Sequence, residues 1–438
     1  MQRFDLTEDN MHELVLSLRG EPGKDQQASR RVAGIIREVR AGGDEALVSF
    51  TREFDAPGFD AAHLKVEAGE IESALAAAPG PLVEALKLAA ENIRMFHQHE
   101  LRGDWTAPMR QNQMLGQRMI PVDRAGLYVP GGGADYPSSL LMTVVPAQVA
   151  GVGEIFICTP PDSEGGTSQA VLAAAALLEV DEMYRVGGAQ AIAAMAYGTE
   201  TIRPADIICG PGNIYVTEAK RQVFGCVGID SLAGPSEVLI IADDAAAPDL
   251  LAADLLAQVE HGSGAIAVLV SWSEALLEQV QTATASLQQE LEMDRTLLDQ
   301  VSLVLAAGDD PLELAIGFSN SFAPEHLQIH TVQPEQDVHK ITAAGAVFLG
   351  EDVCTAYGDY IIGTNHVLPT AGTARYDSAL SVENFLRKVA VISLIPATVS
   401  ELTPPLVEIA RAEGLRAHAW AAELRQERFG LPPEVEKE

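Results

Sequence analysis

The chain has 438 residues and few cysteines: Cys158, Cys209, Cys226 and Cys354 are the 4 present, and no two form a CxxC pair. That spacing argues against a disulfide framework or a cysteine zinc site and leaves the four as small buried hydrophobes. Basic residues are scarce too. The 29 Lys and Arg stand against 62 Asp and Glu, a net charge of -33. Nucleic acids and anionic membranes need basic patches, so neither is an expected partner. No apolar run approaches the roughly 20 residues that span a bilayer; one of the longest covers residues 140–150. The opening MQRFDLTEDN has neither a basic start nor an apolar core. It does not read as a secretory signal, and the expected location is the cytoplasm. Short repeats, low-complexity linkers and a full GxGxxG fingerprint are missing as well.

What is present describes a globular α/β protein. Hydrophobic residues make up 47% and charged residues 21%, and the length suggests two or three lobes. Residues 1–125 read as mainly helical, with Ala, Leu and Glu at helical spacing over 70–97. From there short β-prone runs alternate with Ala-rich helical stretches, at 125–129, 154–158, 182–186 and 206–209. A second series covers 238–242, 266–271, 301–305, 327–331 and 346–349. Alternation of this kind signals parallel sheets with crossover helices, and two doubly wound halves fit the length better than one wide sheet. After about Leu380 the chain reads as helical again, with a polar tail. Glycine turns follow three of the strands: Val129-Pro-Gly-Gly-Gly133, Gly187-Gly-Ala-Gln190 and Gly210-Pro-Gly-Asn213. On spacing alone each is either a ligand-binding turn or a plain strand-helix corner.

Four polar clusters carry the candidate chemistry. Gln258 and His261 lie three apart in a helix-like run, on one face; His261 alone would more often be structural. Glu325 and His326, in APEHL, sit between a helical stretch and a strand. They read either as two proton-transfer groups or as an exposed charged turn. Gly358-Asp359-Tyr360 and Gly363-Thr-Asn-His366-Val-Leu-Pro-Thr370 describe a long irregular loop rich in polar groups. Glu413 and His418 form the faintest cluster, near the C-terminus. Spacing supports an α/β enzyme with His and Asp placed for a metal, and does not separate a dehydrogenase from a hydrolase.

Taken in order, the segments resemble the histidinol dehydrogenase family. The resemblance rests on Gly126-Leu-Tyr-Val-Pro-Gly-Gly132, Tyr136-Pro-Ser-Ser139, Gly187-Gly-Ala-Gln-Ala-Ile192, Gly210-Pro-Gly-Asn213, Ala233-Gly-Pro-Ser-Glu-Val238 and the four clusters. It implies an NAD-dependent four-electron oxidation of L-histidinol to L-histidine through the aldehyde, closing histidine biosynthesis. It implies one zinc per subunit held by Gln258, His261, Asp359 and His418, the zinc orienting and polarising the substrate. His326 is implied as general base and Glu325 as activator of water for the second half-reaction. Ser236, His366 and Glu413, together with the zinc ligands and His326, are implied to contact substrate; Tyr128, Gln190 and Asn213 are implied to contact NAD. The implied fold is two incomplete Rossmann-like doubly wound lobes with helical N-terminal and C-terminal extensions. Its expected parts are an extension at 1–22, a catalytic lobe of 23–127 with 238–380, an NAD lobe at 128–237 and a tail at 381–438. The implied assembly is a domain-swapped homodimer in which the tail, with Glu413 and His418, completes the partner's site. A zinc dehydrogenase acting on a sulfopropanediol is the nearest alternative. Glu413 speaks against it, because a carboxylate repels a sulfonate. A non-catalytic relative would usually lose the base or a metal ligand, and here the whole set is present.

Overall fold

Strands buried on both faces of a parallel sheet read as near-continuous apolar runs. Glu237–Ala242 (EVLIIA), Arg124–Tyr128 and His326–His330 are buried along their whole length. A computed structural model describes residues 1–19, 26–109, 113–131, 135–262 and 264–429. Gly132, Gly133 and the end of the tail lie outside the described residues.

In chain order the strands are β1 (Gln2–Leu6), β2 (Trp105–Pro108), β3 (Met114–Pro121), β4 (Arg124–Tyr128), β5 (Glu154–Thr159), β6 (Met183–Arg185) and β7 (Ile207–Cys209). They continue as β8 (Gly228–Ile229), β9 (Glu237–Ala242), β10 (Ile266–Ser271), β11 (Val301–Ala306), β12 (His326–His330), β13 (Ala346–Leu349) and β14 (Leu386–Ser393). All nine strands read from the sequence form, within a residue or two at each end. The α/β class with parallel sheets is therefore as expected.

Contacts divide the chain into two units, residues 1–100 with 122–385 and residues 101–121 with 386–438. The first unit holds two parallel sheets, ordered β6-β5-β4-β7-β8 and β1-β11-β10-β9-β12-β13. With β1 set aside, both follow one rule. The first strand of the series is central, the next two extend to one side, and the last two cross to the other. Apolar residues of Met11–Arg19 and Pro311–Phe322 cover one face of the six-stranded sheet, and those of Pro248–Val259 and Glu274–Glu290 cover the other.

The N-terminal segment differs from the helical expectation. Gln2–Leu6 is an edge strand paired with β11, followed by the helix Met11–Arg19. Its polar alternation, with Leu6 buried and Arg3 and Asp5 exposed, suits a half-covered edge and hides it among polar residues. Residues 124–127, expected with the catalytic half, belong with Tyr128 to the central strand of the other sheet. The helix Gln26–Phe54 also packs on that sheet's helices, with Val32, Ile35 and Leu47 against Ile192 and Val216.

The second unit is an antiparallel sheet β14-β3-β2 and a pair of packed helices, Pro396–Ala412 and Arg416–Phe429. The segment after Leu380 is thus helical only beyond β14. There Val389, Val391 and Ile392 favour extended chain.

Candidate active site

The Glu-His turn is shaped by how one helix stops. Asp310 caps the start of Pro311–Phe322, and Ala323 ends the helix in the left-handed region at φ 48°. Pro324 cannot continue a helix, so the chain drops straight into β12 with Glu325 and His326 side by side. Register places His326 opposite Val238 of β9 and Ala346 of β13. The pair therefore lies at the amino-terminal edge of the six-stranded sheet. Space there is tight: a Cβ on Gly345 would come within 2.5 Å of the Glu325 carbonyl oxygen. Glu325 is 5% exposed and His326 4% exposed, which rules out the exposed charged turn.

Each atom of the pair is placed by a neighbour. The Glu237 N–H donates to Glu325 Oε2 at 2.8 Å, and His326 Nδ1 lies 3.3 Å from the Glu237 carbonyl oxygen and 3.6 Å from Glu325 Oε2. Nitrogen beside a carbonyl oxygen serves only as a donor, so in a neutral ring the basic lone pair is on Nε2. That atom is 3.1 Å from Asp359 Oδ1. Burial alone would lower the His326 pKa; the Glu325 charge and the hydrogen bond to Asp359 outweigh it and raise it to about 10. Burial likewise pushes Asp359 up, but the His326 hydrogen bond and the charges of His326, His366 and His261 leave its pKa lowered.

Asp359 lies in the short helix Thr355–Tyr360 rather than in an irregular loop. Its carbonyl oxygen is 2.8 Å from His366 Nδ1, and His366 Nε2 is 3.2 Å from Ser139 Oγ. Ser139 lies in the first turn of Pro137–Ala150, the helix that follows β4, so His366 joins Asp359 to that helix. Burial lowers the His366 pKa more than Asp359 raises it, favouring the neutral ring. Ser236 immediately precedes β9 and is half-buried.

The helix Pro248–Val259 stops before His261, whose N–H reaches the Gln258 carbonyl at 3.4 Å in a tightened last turn. His261 is exposed, whereas Gln258 is buried with its Nε2 lacking any partner. Among the described residues no group of three or more His, Cys, Asp or Glu side chains is placed to hold a metal. The first unit contributes Gln258, His261 and Asp359, only two of which are of those types. Glu413 and His418 belong to the second unit, the one capping Pro396–Ala412 and the other in Arg416–Phe429, both exposed. Asp359, whose pKa the His261 charge helps to lower, and the His261 ring offer oxygen and nitrogen lone pairs that suit a borderline cation, to which Gln258 would add its amide oxygen.

On the five-stranded sheet the three other candidates follow strand carboxyl ends. Tyr128 ends β4, and its hydroxyl accepts a hydrogen bond from the Gly188 N–H at 3.1 Å. Gln190, in the first turn of Gly188–Tyr197, is 1% exposed, and both its amide atoms are unpartnered. Asn213 caps Ile214–Val223 by accepting from the Tyr215 and Val216 N–H groups, which leaves its amide nitrogen to offer. Gly210 is needed for a close approach: at φ 122° a Cβ there would lie 2.0 Å from the Tyr128 carbonyl oxygen.

Several residues at these two edges escaped the sequence reading. Glu237 heads β9 with 2% exposure and Lys220 pairs with Asp230 at 2.6 Å, both buried. A charged residue opening a wholly apolar strand was the available signal for Glu237. Of the cysteines, Cys158 and Cys209 are buried and their thiol pKa values are raised by burial, but Cys226 is exposed and Cys354 half-buried. Among the described residues no helix is long and apolar enough to cross a membrane.

Known proteins resemble this chain from end to end. The family profile described as histidinol dehydrogenase matches residues 19–426. Histidinol dehydrogenase of a Synechococcus species is 47% identical over 399 residues, covering 90% of this chain and 92% of that one. The Methanothermobacter thermautotrophicus histidinol dehydrogenase is 46% identical, covering 89% and 91%. The crystal structure of histidinol dehydrogenase from Elizabethkingia anophelis superposes with a TM-score of 0.90 at 36% identity, over 98% of both chains. The profile spans the Glu325–His326 turn, both parallel sheets apart from β1, and His418, so no part of the candidate site stands outside the likeness, and the chain belongs to the histidinol dehydrogenase family.

Proposed function

We propose that this oxidoreductase converts L-histidinol to L-histidine in two successive oxidations, with NAD as oxidant and one zinc per subunit, as the closing reaction of histidine biosynthesis in the cytoplasm. The observation that carries the reading is the buried Glu325–His326 pair facing Asp359, with His261 close enough for its charge to be felt. Alcohol oxidation needs a base for the hydroxyl proton, and the lone pair on His326 Nε2 is that base. Asp359 holds a proton on the ring while its charge is unopposed. Asp359, Gln258 and His261, with His418, would hold the zinc, and with the Asp359 charge neutralised in that way the His326 ring would serve as a neutral proton acceptor. When bound, zinc supplies a Lewis acid that orients and polarises the substrate, and NAD supplies the hydride acceptor.

The second oxidation consumes water, and Glu325 is the group to take its proton. The carboxylate is buried, held at Oε2 by the Glu237 N–H, and 3.6 Å from the His326 ring. Burial shelters the aldehyde between the two steps. Ser236, His366 and Glu413 contact the substrate together with the metal ligands and His326, and Tyr128, Gln190 and Asn213 contact NAD. The orphaned amide atoms of Gln190 support the last assignment, since a buried amide without partners is costly unless a ligand satisfies it.

In this reading the two parallel sheets are separate lobes. The segment 381–438 is a tail that lends Glu413 and His418 to the partner in a domain-swapped homodimer. Measuring NADH formed per histidinol tests the proposal, with two expected; one NADH, or none, would overturn it. Chelation is expected to abolish turnover, and zinc to restore it.

A further inference from the structure

Glu237 touches both members of the Glu-His pair through its backbone. Its N–H holds Glu325 Oε2 at 2.8 Å and its carbonyl oxygen is 3.3 Å from His326 Nδ1. Its own carboxylate is 2% exposed and faces the other way. There Oε1 accepts the Ala371 N–H at 3.1 Å and lies 3.4 Å from Arg19 Nε, and Oε2 is 3.5 Å from a terminal nitrogen of Arg19. Arg19, the last residue of Met11–Arg19, also donates to the Phe322 carbonyl and stacks over the Phe322 ring at 4.2 Å. Phe322 ends the helix whose stop produces the Glu-His turn. Thr370, beside Ala371, receives the Gly234 N–H on its hydroxyl. One ion pair thus ties together the start of β9, the helix stop before Glu325 and the end of the loop that follows Asp359 and carries His366.

We propose that the part-buried Arg19–Glu237 pair is a positioning device for the reaction: it holds the Glu237 backbone where its N–H orients Glu325 and its carbonyl fixes the donor side of the His326 ring. Glu237 and Arg19 are positioning residues and take no proton from substrate. The N-terminal segment is therefore part of the catalytic edge. Burying an ion pair is an expensive way to gain stability alone, because an apolar pair of the same volume does as well or better. Retaining it where two proton-transfer groups need one geometry gives it a use. The inference rests on the roles proposed for Glu325 and His326.

The test uses the zinc-loaded full-length enzyme and three variants: Glu237→Gln, Arg19→Met and the two combined. Either single change leaves one charge unpaired, the buried carboxylate in Arg19→Met and the part-buried guanidinium in Glu237→Gln, and some loss of folded protein is expected from that cause. The double variant removes both charges, so its melting temperature and zinc content are expected to return close to wild type. Its kcat for histidinol is expected to stay down by about tenfold or more, with KM moving less than about twofold. The ¹⁵N resonances of the His326 ring, read by NMR in all four proteins, are expected to shift in the double variant. A double variant with wild-type kcat and unmoved His326 resonances would overturn the proposal. So would a loss confined to KM. If the wild-type enzyme itself fails to oxidise histidinol, the functional reading has failed, and the ring resonances still decide whether the pair positions His326.

Discussion

In the five-stranded sheet the side chains proposed to meet the dinucleotide lie at or after the carboxyl ends of β4, β6 and β7, whereas in the six-stranded sheet Glu325 and His326 stand at the amino end of β12. The strand order is the same in both, so the difference lies in what each edge offers. After a strand's carboxyl end comes a helix N-terminus, which carries a partial positive charge. The starts of Gly188–Tyr197 and Ile214–Val223 are of this kind, and they suit an anionic cofactor. At the amino edge helices finish instead. Pro248–Val259 ends there with its partial negative charge beside Gln258 and His261, which suits a cation. One topology presents opposite polarity at its two ends, and a bisubstrate site can draw on both.

The largest expected effect falls on the amino edge. His326→Asn removes the only base placed at Nε2 and is expected to slow both oxidations by about a thousandfold. Glu325→Gln is expected to slow the aldehyde step more than the alcohol step, because only that step consumes water. Stopped-flow assays started from histidinol and from histidinaldehyde separate the two. Equal losses in both steps for Glu325→Gln would remove it from water activation.

Stability tests the opposite edge next. Lys220 and Asp230, 3% and 2% exposed, clamp the Gly210 turn: Lys220 Nζ donates to the Gly210 carbonyl, and Asp230 Oδ2 accepts the Gly210 N–H at 2.7 Å. Lys220→Met strands a buried carboxylate and is expected to cost about 3 kcal/mol in denaturant unfolding. Adding Asp230→Asn is expected to recover most of that. If the single change costs less than about 1 kcal/mol, the five-stranded edge is not braced by charge.

Two glycine substitutions then ask whether the edges divide their labour. Gly210→Ala drives a methyl into the Tyr128 carbonyl, and Gly345→Ala drives one into the Glu325 carbonyl. The first is expected to raise KM for NAD by about tenfold with kcat less changed, the second to lower kcat by about tenfold with KM for NAD unchanged. The same pattern of loss in both variants would break the division.

Much of this was readable in the chain. β9, β10 and β11 are legible because burial on both faces makes them nearly uninterrupted apolar runs, and the four strands of the first series because glycine or proline closes each. The edge strand β1 was not, since half its residues face water and match a polar lead. β14 escaped because its β-branched residues sit within one element's length of two long helices. At the site, Glu325, His326, Asp359 and His366 stand out as ionisable groups at element ends. Gln258 does not, because an amide in a helix carries no signal of its own. Arg19 and Glu237 are 218 positions apart, and no local pattern reveals a partner brought in by folding.

The smallest expected effect contrasts a paired buried carboxylate with an unpaired one. Glu237 has Arg19 beside it, although burial still raises its pKa to about 7. Asp55, whose charge is felt by Tyr128 at the carboxyl edge of β4, has a buried Oδ2 with no partner, and burial raises its pKa from 3.8 to about 6. A carboxylate with a raised folded pKa penalises the folded state when ionised. That penalty is absent below the unfolded value near 3.8, grows as pH rises, and is complete above about 6. Asp55→Asn removes the charge and keeps the shape. At pH 8 the variant is expected to be more stable by about 1 kcal/mol, after allowing for partial exposure, and to melt about 2 °C higher. At pH 4 the two proteins are expected to melt together. A gain at pH 4 as large as that at pH 8 would mean that the amide improves packing or hydrogen bonding. A loss at pH 8 would mean that the Asp55 charge has a partner worth more than its burial costs, making the two carboxylates alike.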